Sequence, residues 1–407
     1  MSCVEDFQRW IKEVMPKVIE SLGPNVEEAQ YELSESTDVF MSSLYHVCVK
    51  FKNKMKEGQS EEVFIVLKRP TQIEIHRQIV LIDPQFHNEI LFYRIYARPD
   101  ENFPRCFYTD ERPPKDSVIA LENVNKRGYS PCLYAFNAPL EYILAAMREI
   151  ARFHGKGYVM KEQQREQFFD IVTQLQESRY NTPLDDISRF TINSCATRAM
   201  EYLRNQGYDA VFCDKMESLL SNAFDALMMK IVEPMEPLST LCHGDFTLSN
   251  NLFKMEDDGQ LRAMLIDFAL LRYSTPVVDL STFLCLGCSN EIRKDNFFEI
   301  MRTYHDTLKK YLLDAGIQDI EKYSYDALLD DYKKGVLFGF LIASFFLANL
   351  MGYINVKIFE EHKEMDNMDV IAEHIKDCKE AGGEKVSKIL ADMLLEFKDF
   401  GFLEHFL

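Results

Sequence analysis

Between Leu241 and Asp267 the chain reads LCHGDFTLSNNLFKMEDDGQLRAMLID, and its polar residues are spaced for one kind of chemistry. An apolar run ends in His243-Gly244-Asp245, Asn250 follows in the next loop, a turn at Asp257-Asp258-Gly259 reverses the chain, and Met264-Leu265-Ile266 reads as a strand that delivers Asp267. Phosphoryl transfer needs such a set: a carboxylate to accept the proton of the attacking hydroxyl, and two oxygen ligands to hold Mg²⁺ against the phosphates. The order is that of the loop H-x-D-x-x-x-x-N followed by a metal-binding aspartate. The expected roles are Asp245 as catalytic base, Asn250 and Asp267 as metal ligands, and His243 as a catalytic-loop residue whose side chain braces the loop. The expected reaction is transfer of the γ-phosphate of ATP.

The rest of the chain must supply partners for these groups. A helical stripe from Val4 to Leu22 ends at Gly23-Pro24. The segments Ala29 to Leu33, Met41 to Phe51 and Glu62 to Leu67 read as strands, the last two joined by a turn at Lys56 to Gln59. Lys68 closes the third strand, and Asp83-Pro84 starts a helix that carries Glu89. A lysine at a strand end paired with a glutamate on the next helix is the arrangement that holds the α- and β-phosphates of a nucleotide. Two further strands, Phe103 to Thr109 and Ser117 to Leu121, run into Glu122-Asn123-Val124, where the apolar period changes from two to 3.6. Backbone groups of Glu122 and Val124 are the candidates for holding the adenine. The change of period predicts a nucleotide-binding lobe over residues 1–123 and a helical catalytic and substrate-binding lobe over 124–407.

Helices are expected over Leu140 to Gly155, Lys161 to Ser178, Cys195 to Gln206, Asp214 to Ile231, Glu291 to Gly316, Ser324 to Leu350 and Val370 to Phe402. His154, at the end of the first of these, reads as a structural hydrogen-bonding histidine. Asp279 has two readings of equal weight: an acceptor that fixes the catalytic loop, or a helix N-cap. Gly335 to Val356 carry no charge and are numerous enough to span a bilayer, yet Gly339, Ser344, Asn349 and Asn355 dilute the run, so a buried core helix is expected and no membrane span.

A formal net charge of −19 and the lack of a dense Lys/Arg run exclude nucleic acid as the expected partner. The ten cysteines are scattered in apolar contexts, which fits a reduced, cytoplasmic protein. Cys285-Leu286-Gly287-Cys288 lacks the second pair a zinc site needs and reads as packing. The substrate class is narrowed by two features. Gly244 stands where a protein kinase has arginine, and the run from Asp267 to Asp279 leaves no room for a peptide-docking segment. A small-molecule hydroxyl is the expected acceptor, and no obligate protein partner is expected.

The segments LCHGDFTLSNNLFK and LIDFALLRYSTPVVDLSTFL, together with IVLKRP, FHNEILFYRIY, ALENVNKRGY and REIARFHGKGY, resemble the ecdysteroid kinase-like (CHK kinase-like) family, in the choline and aminoglycoside kinase branch of the protein-kinase-like fold. The resemblance runs from about Thr37 to about Tyr353. It implies an α+β, two-lobe fold: a small N-terminal antiparallel sheet with a helix, and a larger, mainly helical C-terminal lobe. It also implies ATP- and Mg²⁺-dependent phosphorylation of a hydroxyl on an ecdysteroid or similar lipophilic alcohol, in hormone inactivation or detoxication. The family's functional residues fall on Lys68, Glu89, Asp245, Asn250 and Asp267. One segment departs from the pattern. The family's phosphate loop resembles G-E-N-Y-A-S-x-x-Y-R, whereas this chain has Thr37-Asp38-Val39-Phe40-Met41-Ser42-Ser43-Leu44-Tyr45-His46. Thr37 in place of glycine weakens the backbone approach to phosphate, and Ser42 remains as the phosphate contact. A ligand-binding pseudokinase and a choline- or aminoglycoside-like kinase are the competing readings.

Overall fold

The period-two runs near the N-terminus form one five-stranded antiparallel sheet in the computed structural model, which describes residues 3–38, 41–56, 59–180, 185–354 and 368–407. Its strands are β1 (Val26–Asp38), β2 (Ser42–Asn53), β3 (Gln59–Pro70), β4 (Cys106–Asp110) and β5 (Val118–Glu122), in the order β1-β2-β3-β5-β4. They belong to a unit made of Met1–Ser130, Gln174–Pro183 and Ile266–Leu270. The chain returns twice to this unit, so it is not the single N-terminal stretch the change of period suggests. Val39 and Phe40 of the phosphate loop, and Glu57 and Gly58 of the expected turn, lie outside the described residues.

The leading helix α1 (Cys3–Ser21) puts Trp10, Ile11, Val14, Met15 and Val18 into one core with Val47, Val49, Phe51, Ile65, Leu67, Val118 and Ala120. Side chains alternate across a strand. Ile65 and Leu67 therefore face α1, and Lys68 projects from the other face of the sheet. Between β3 and β4 lie α2 (Glu74–Ile79) and α3 (Ile82–Leu91), the latter continuing into a π-turn over Phe92–Tyr96. The six-residue α2 is too short to show a helical period, and the sequence reading passes over it. The observed β1 is longer than the apolar alternation predicts, and it pairs with β2 from Val26↔Asn53 to Asp38↔Ser43.

The second unit comprises Pro131–Thr173, Leu184–Leu265 and Leu271–Leu407 and is mainly helical. Here α4 (Leu140–Gln163) runs past the expected end at Gly155. Gly155 and Gly157 stay helical because they are pressed against neighbours: a Cβ on Gly157 would lie 2.2 Å from Thr240 Oγ1. The helix expected over Lys161 to Ser178 is instead the tail of α4 followed by Arg165–Gln174. The helix expected from Cys195 begins at Asp185, and the one expected from Asp214 begins at Ala210. In the second case the Asp209 side chain accepts from Val211 N at 2.8 Å and Phe212 N at 3.3 Å, an N-cap that starts the helix four residues before the apolar stripe does. That helix stops at Leu220. The last expected helix divides into Met368–Glu380 and Gly383–Asp399, with Gly382 at φ 71° between them.

Asn290–Asp314 and Tyr325–Leu350 match their expected spans to within two residues. Tyr325–Leu350 is long and apolar enough to cross a membrane, and 67% of its most apolar window is buried inside the unit. It packs along the helix Val277–Gly287, as a core helix does. Cys285 and Cys288 are buried free thiols, and burial pushes both up to about 12, which agrees with the packing reading.

Candidate active site

Each unit builds its own set of functional side chains. In the sheet unit, Lys68 Nζ donates to Glu89 Oε2 at 2.6 Å and to Asp267 Oδ1 at 2.9 Å. Strand β3 supplies the lysine, α3 the glutamate and the returning segment Ile266–Leu270 the aspartate. Burial opposes the charge on Lys68, but Asp267 and Glu89 outweigh it and hold the ammonium above its ordinary pKa. Burial likewise drives the Glu89 carboxyl up, while Lys68 pulls it back. With Nζ at 2.6 Å from a carboxylate that is itself 1% exposed, the pair is a charge-assisted hydrogen bond.

Asp267 adopts φ 65°, a left-handed conformation that aspartate tolerates better than most residues. The next residue fixes that turn. Phe268 is fully buried, stacks on Phe92 at 3.6 Å and meets Phe103 edge-on at 5.6 Å. The sequence reading misses this cluster, although the aromatic run Phe92-Tyr93 after Glu89 and the Phe following Asp267 are its signal.

The remaining nucleotide candidates are also placed in this unit. Ser42 opens β2 opposite Pro70 and is 2% exposed. Glu122 ends β5; its N–H donates to Arg105 O at 2.7 Å and its carboxylate accepts from Arg105 N and Arg127 Nη1. Val124, buried, starts a single turn capped by Asn123.

In the helical unit the strand Thr240–Cys242 pairs antiparallel with Arg272–Ser274 and leads into the His243 loop. Gly244 turns the chain at φ 80°, where a side chain would be strained. Asn250 Nδ2 donates to Asp245 O at 2.9 Å and to Asp245 Oδ2 at 2.8 Å, so the amide orients the carboxylate and keeps its own oxygen for another partner. His243 is fully buried, and its Nδ1 accepts from Asp245 N at 3.3 Å. Phe246 stacks on Phe283 at 4.3 Å, which anchors the loop to the helix Val277–Gly287.

Asp279 resolves in favour of one of its two readings. It lies inside that helix, whose N-cap is Pro276, and it is fully buried. Its carboxylate accepts from His243 N at 2.7 Å, Gly244 N at 2.8 Å and His154 Nε2 at 2.9 Å. A carboxylate only accepts, so His154 donates through Nε2 and its Nδ1 takes the Tyr304 hydroxyl at 2.8 Å. His154 is thus structural, as expected, and acts on the loop through Asp279. Replacing Asp279 with alanine leaves three buried donors without their acceptor, and the stability loss expected is about 3 kcal/mol or more in urea unfolding. A variant as stable as the parent would show that the loop does not depend on this carboxylate.

The sheet with its lysine, glutamate and aspartate, and the helical unit with its His-Gly-Asp loop, define a protein-kinase-like α+β fold. The chain belongs to the ecdysteroid kinase-like family, which it matches over residues 36–317. No curated protein matches it. Among solved structures it is similar to a GDP complex of wild-type aminoglycoside 2'-phosphotransferase-IIIa, at 13% identity over 95% of this chain and 99% of that one, with a TM-score of 0.44. A thermostable mutant of aminoglycoside phosphotransferase APH(4)-Ia, in a ternary complex with ADP and hygromycin B, is similar at 12% identity over 92% and 98%, with a TM-score of 0.31. The helices α1 and Tyr325–Leu350 both lie outside the matched residues.

Proposed function

We propose that this protein is an ATP-dependent small-molecule kinase that phosphorylates a hydroxyl of an ecdysteroid or similar lipophilic alcohol. The observation that carries the reading is the Lys68 ammonium shared between Glu89, 21 residues away, and Asp267, 199 residues away. An ammonium held by a buried carboxylate on one side is set to grip phosphate oxygens on the other. The acceptor class is supported by family membership. A hormone or xenobiotic alcohol, in inactivation or detoxication, is the substrate this reading favours.

In this reading Lys68 holds phosphate oxygens, Glu89 fixes Lys68, and the Glu122 carbonyl and Val124 N–H hold the adenine, with Ser42 on the phosphate side. Asp245 takes the proton of the acceptor hydroxyl, whose oxygen bonds to the γ-phosphorus as the bond to ADP breaks. Asn250 keeps the Asp245 carboxylate oriented, and Asp279 with His243 keeps the loop in place. The Asp267 carboxylate and the Asn250 side-chain oxygen are each ligands of the kind a hard cation takes, and Mg²⁺ would neutralise charge developing on the phosphates. The free thiols among the described residues support a reducing, cytoplasmic setting.

Nucleotide binding is tested first. Saturating MgATP, about a hundredfold above its Kd, is expected to stabilise the protein by about 2.7 kcal/mol, read as a rise in Tm. Lys68→Met removes most of the rise. No shift for the parent protein at millimolar MgATP would instead support a pseudokinase, for which the glycine-poor phosphate loop is the motive. A phosphate-transfer screen by mass spectrometry over hydroxysteroids, choline and aminoglycosides then separates the acceptor classes.

A further inference from the structure

We propose that Arg69 is a positioning residue for Lys68, and that α1 holds the lysine in place through it. Strand β3 is paired with β5 from Ile65↔Glu122 to Lys68↔Ile119, while its pairing with β2 continues to Pro70. Lys68 is thus the last residue of β3 with a ladder partner on both sides. Beyond it, a side chain takes over. Arg69, 1% exposed and on the α1 face, donates from Nε to Lys115 O at 3.1 Å and from Nη2 to Asp116 Oδ1 at 2.8 Å, just ahead of β5. The same Nη2 donates to Asp6 Oδ2 of α1 at 2.8 Å, and the guanidinium lies 4.7 Å from the centre of the Trp10 ring.

α1 closes the cluster from its own side. Trp10 Nε1 donates to Asp116 O at 3.2 Å, and Arg9 Nη2 donates to Asp6 Oδ1 at 2.8 Å. The Arg9 and Arg69 hydrogen bonds hold the Asp6 carboxyl below its ordinary range. A guanidinium that is forked, buried and stacked is a rigid fitting in a way lysine is not. A lysine's ammonium, by contrast, sits at the end of a flexible stem, so its position is only as fixed as its Cα. Misplacement of such a group by about 1 Å costs on the order of a hundredfold in rate. Arg69 fixes that Cα from the face opposite the one on which Glu89 and Asp267 meet the ammonium. The functional meaning of this rests on reading Lys68 as the phosphate-gripping lysine; the geometry does not.

The test uses the full chain and reads Lys68 directly. Acetylation by an N-hydroxysuccinimide ester, quantified peptide by peptide in a mass spectrometer, is slow at a buried, ion-paired lysine. In Arg69→Met, which keeps a stem over Trp10 but loses every donor, the Lys68 rate is expected to rise about tenfold, with the exposed Lys230 unchanged. Asp6→Asn, a milder change, gives a smaller rise. Val14→Ala loosens the same core without touching the cluster and leaves the Lys68 rate at the parent value. A Lys68 rate in Arg69→Met no higher than in Val14→Ala overturns the proposal, whatever the nucleotide result. A second arm follows MgATP by thermal shift, where Arg69→Met is expected to weaken binding about tenfold more than Val14→Ala does. If the parent shows no MgATP shift while acetylation still rises in Arg69→Met, the kinase reading fails and the positioning role stands.

Discussion

Asp245→Asn is expected to lower phosphate transfer by about three orders of magnitude while leaving the fold and MgATP binding intact, the range over which a positioned general base acts. The substitution is nearly isosteric and retains an acceptor oxygen for Asn250 Nδ2, which bonds both the backbone carbonyl and the carboxylate of Asp245. The neighbouring supports are independent of the carboxylate: Gly244 N and His243 N are held by Asp279, and Phe246 by Phe283. What disappears is the base that takes the hydroxyl proton. The measurement is single-turnover formation of the phosphorylated product, with melting temperature as the control on folding. A rate within tenfold of the parent would show that Asp245 is not the base.

A large loss of stability is expected at Gly339. Glycine in a helix interior is ordinarily replaced by alanine with a gain of about 1 kcal/mol. Here the sign reverses. A Cβ on Gly339 would lie 2.2 Å from Ser281 O and 2.3 Å from Ser281 C, backbone atoms of the helix Val277–Gly287 that have no rotamer to change. Gly339→Ala must therefore push two core helices apart, at an expected cost of about 3 kcal/mol or more. For Gly335→Ala the nearest atoms belong to the Val277 side chain, the first at 2.5 Å, and the change is expected to cost less. Because the crowded helix carries Asp279 in its first turn, Gly339→Ala also disturbs the loop amides and lowers activity more than its stability loss alone explains. Urea unfolding followed by circular dichroism gives the ranking. An alanine at 339 as stable as the parent would mean that the helices are not so closely apposed.

The two sets of candidate residues differ in how far sequence reveals them. Asp245 and Asn250 lie five residues apart in one loop, so their spacing is itself the signal. Lys68 and Glu89 depend on a strand and a helix whose periods are plain, and the structure joins them at 2.6 Å. Asp279 stays ambiguous in sequence because a first-turn aspartate looks the same whether it caps its own helix or accepts from a loop 35 residues away. Arg69 is less visible still. Its partners, Asp6, Lys115 and Asp116, come from two segments with no period or spacing to connect them. Helix ends depart from the apolar period where a local bond decides them, as the Asp209 cap does, or where one glycine does, as Gly382 does at φ 71°. The phosphate loop at Val39 and Phe40 lies outside the described residues, so the effect of its missing glycine rests on the MgATP measurement.

The family match spans residues 36–317, yet two of the elements that steady the candidate site lie beyond it. Trp10 and Asp6 are on the near side of the first boundary, and Gly335 and Gly339, whose bare backbone lets a core helix approach the one bearing Asp279, are past the second. The span by which the chain is recognised is therefore shorter than the span its chemistry depends on. A fragment cut to the recognised borders would keep every residue assigned a role at the phosphates and still lose both the packing that aims Lys68 and the packing that holds the Asp245 loop.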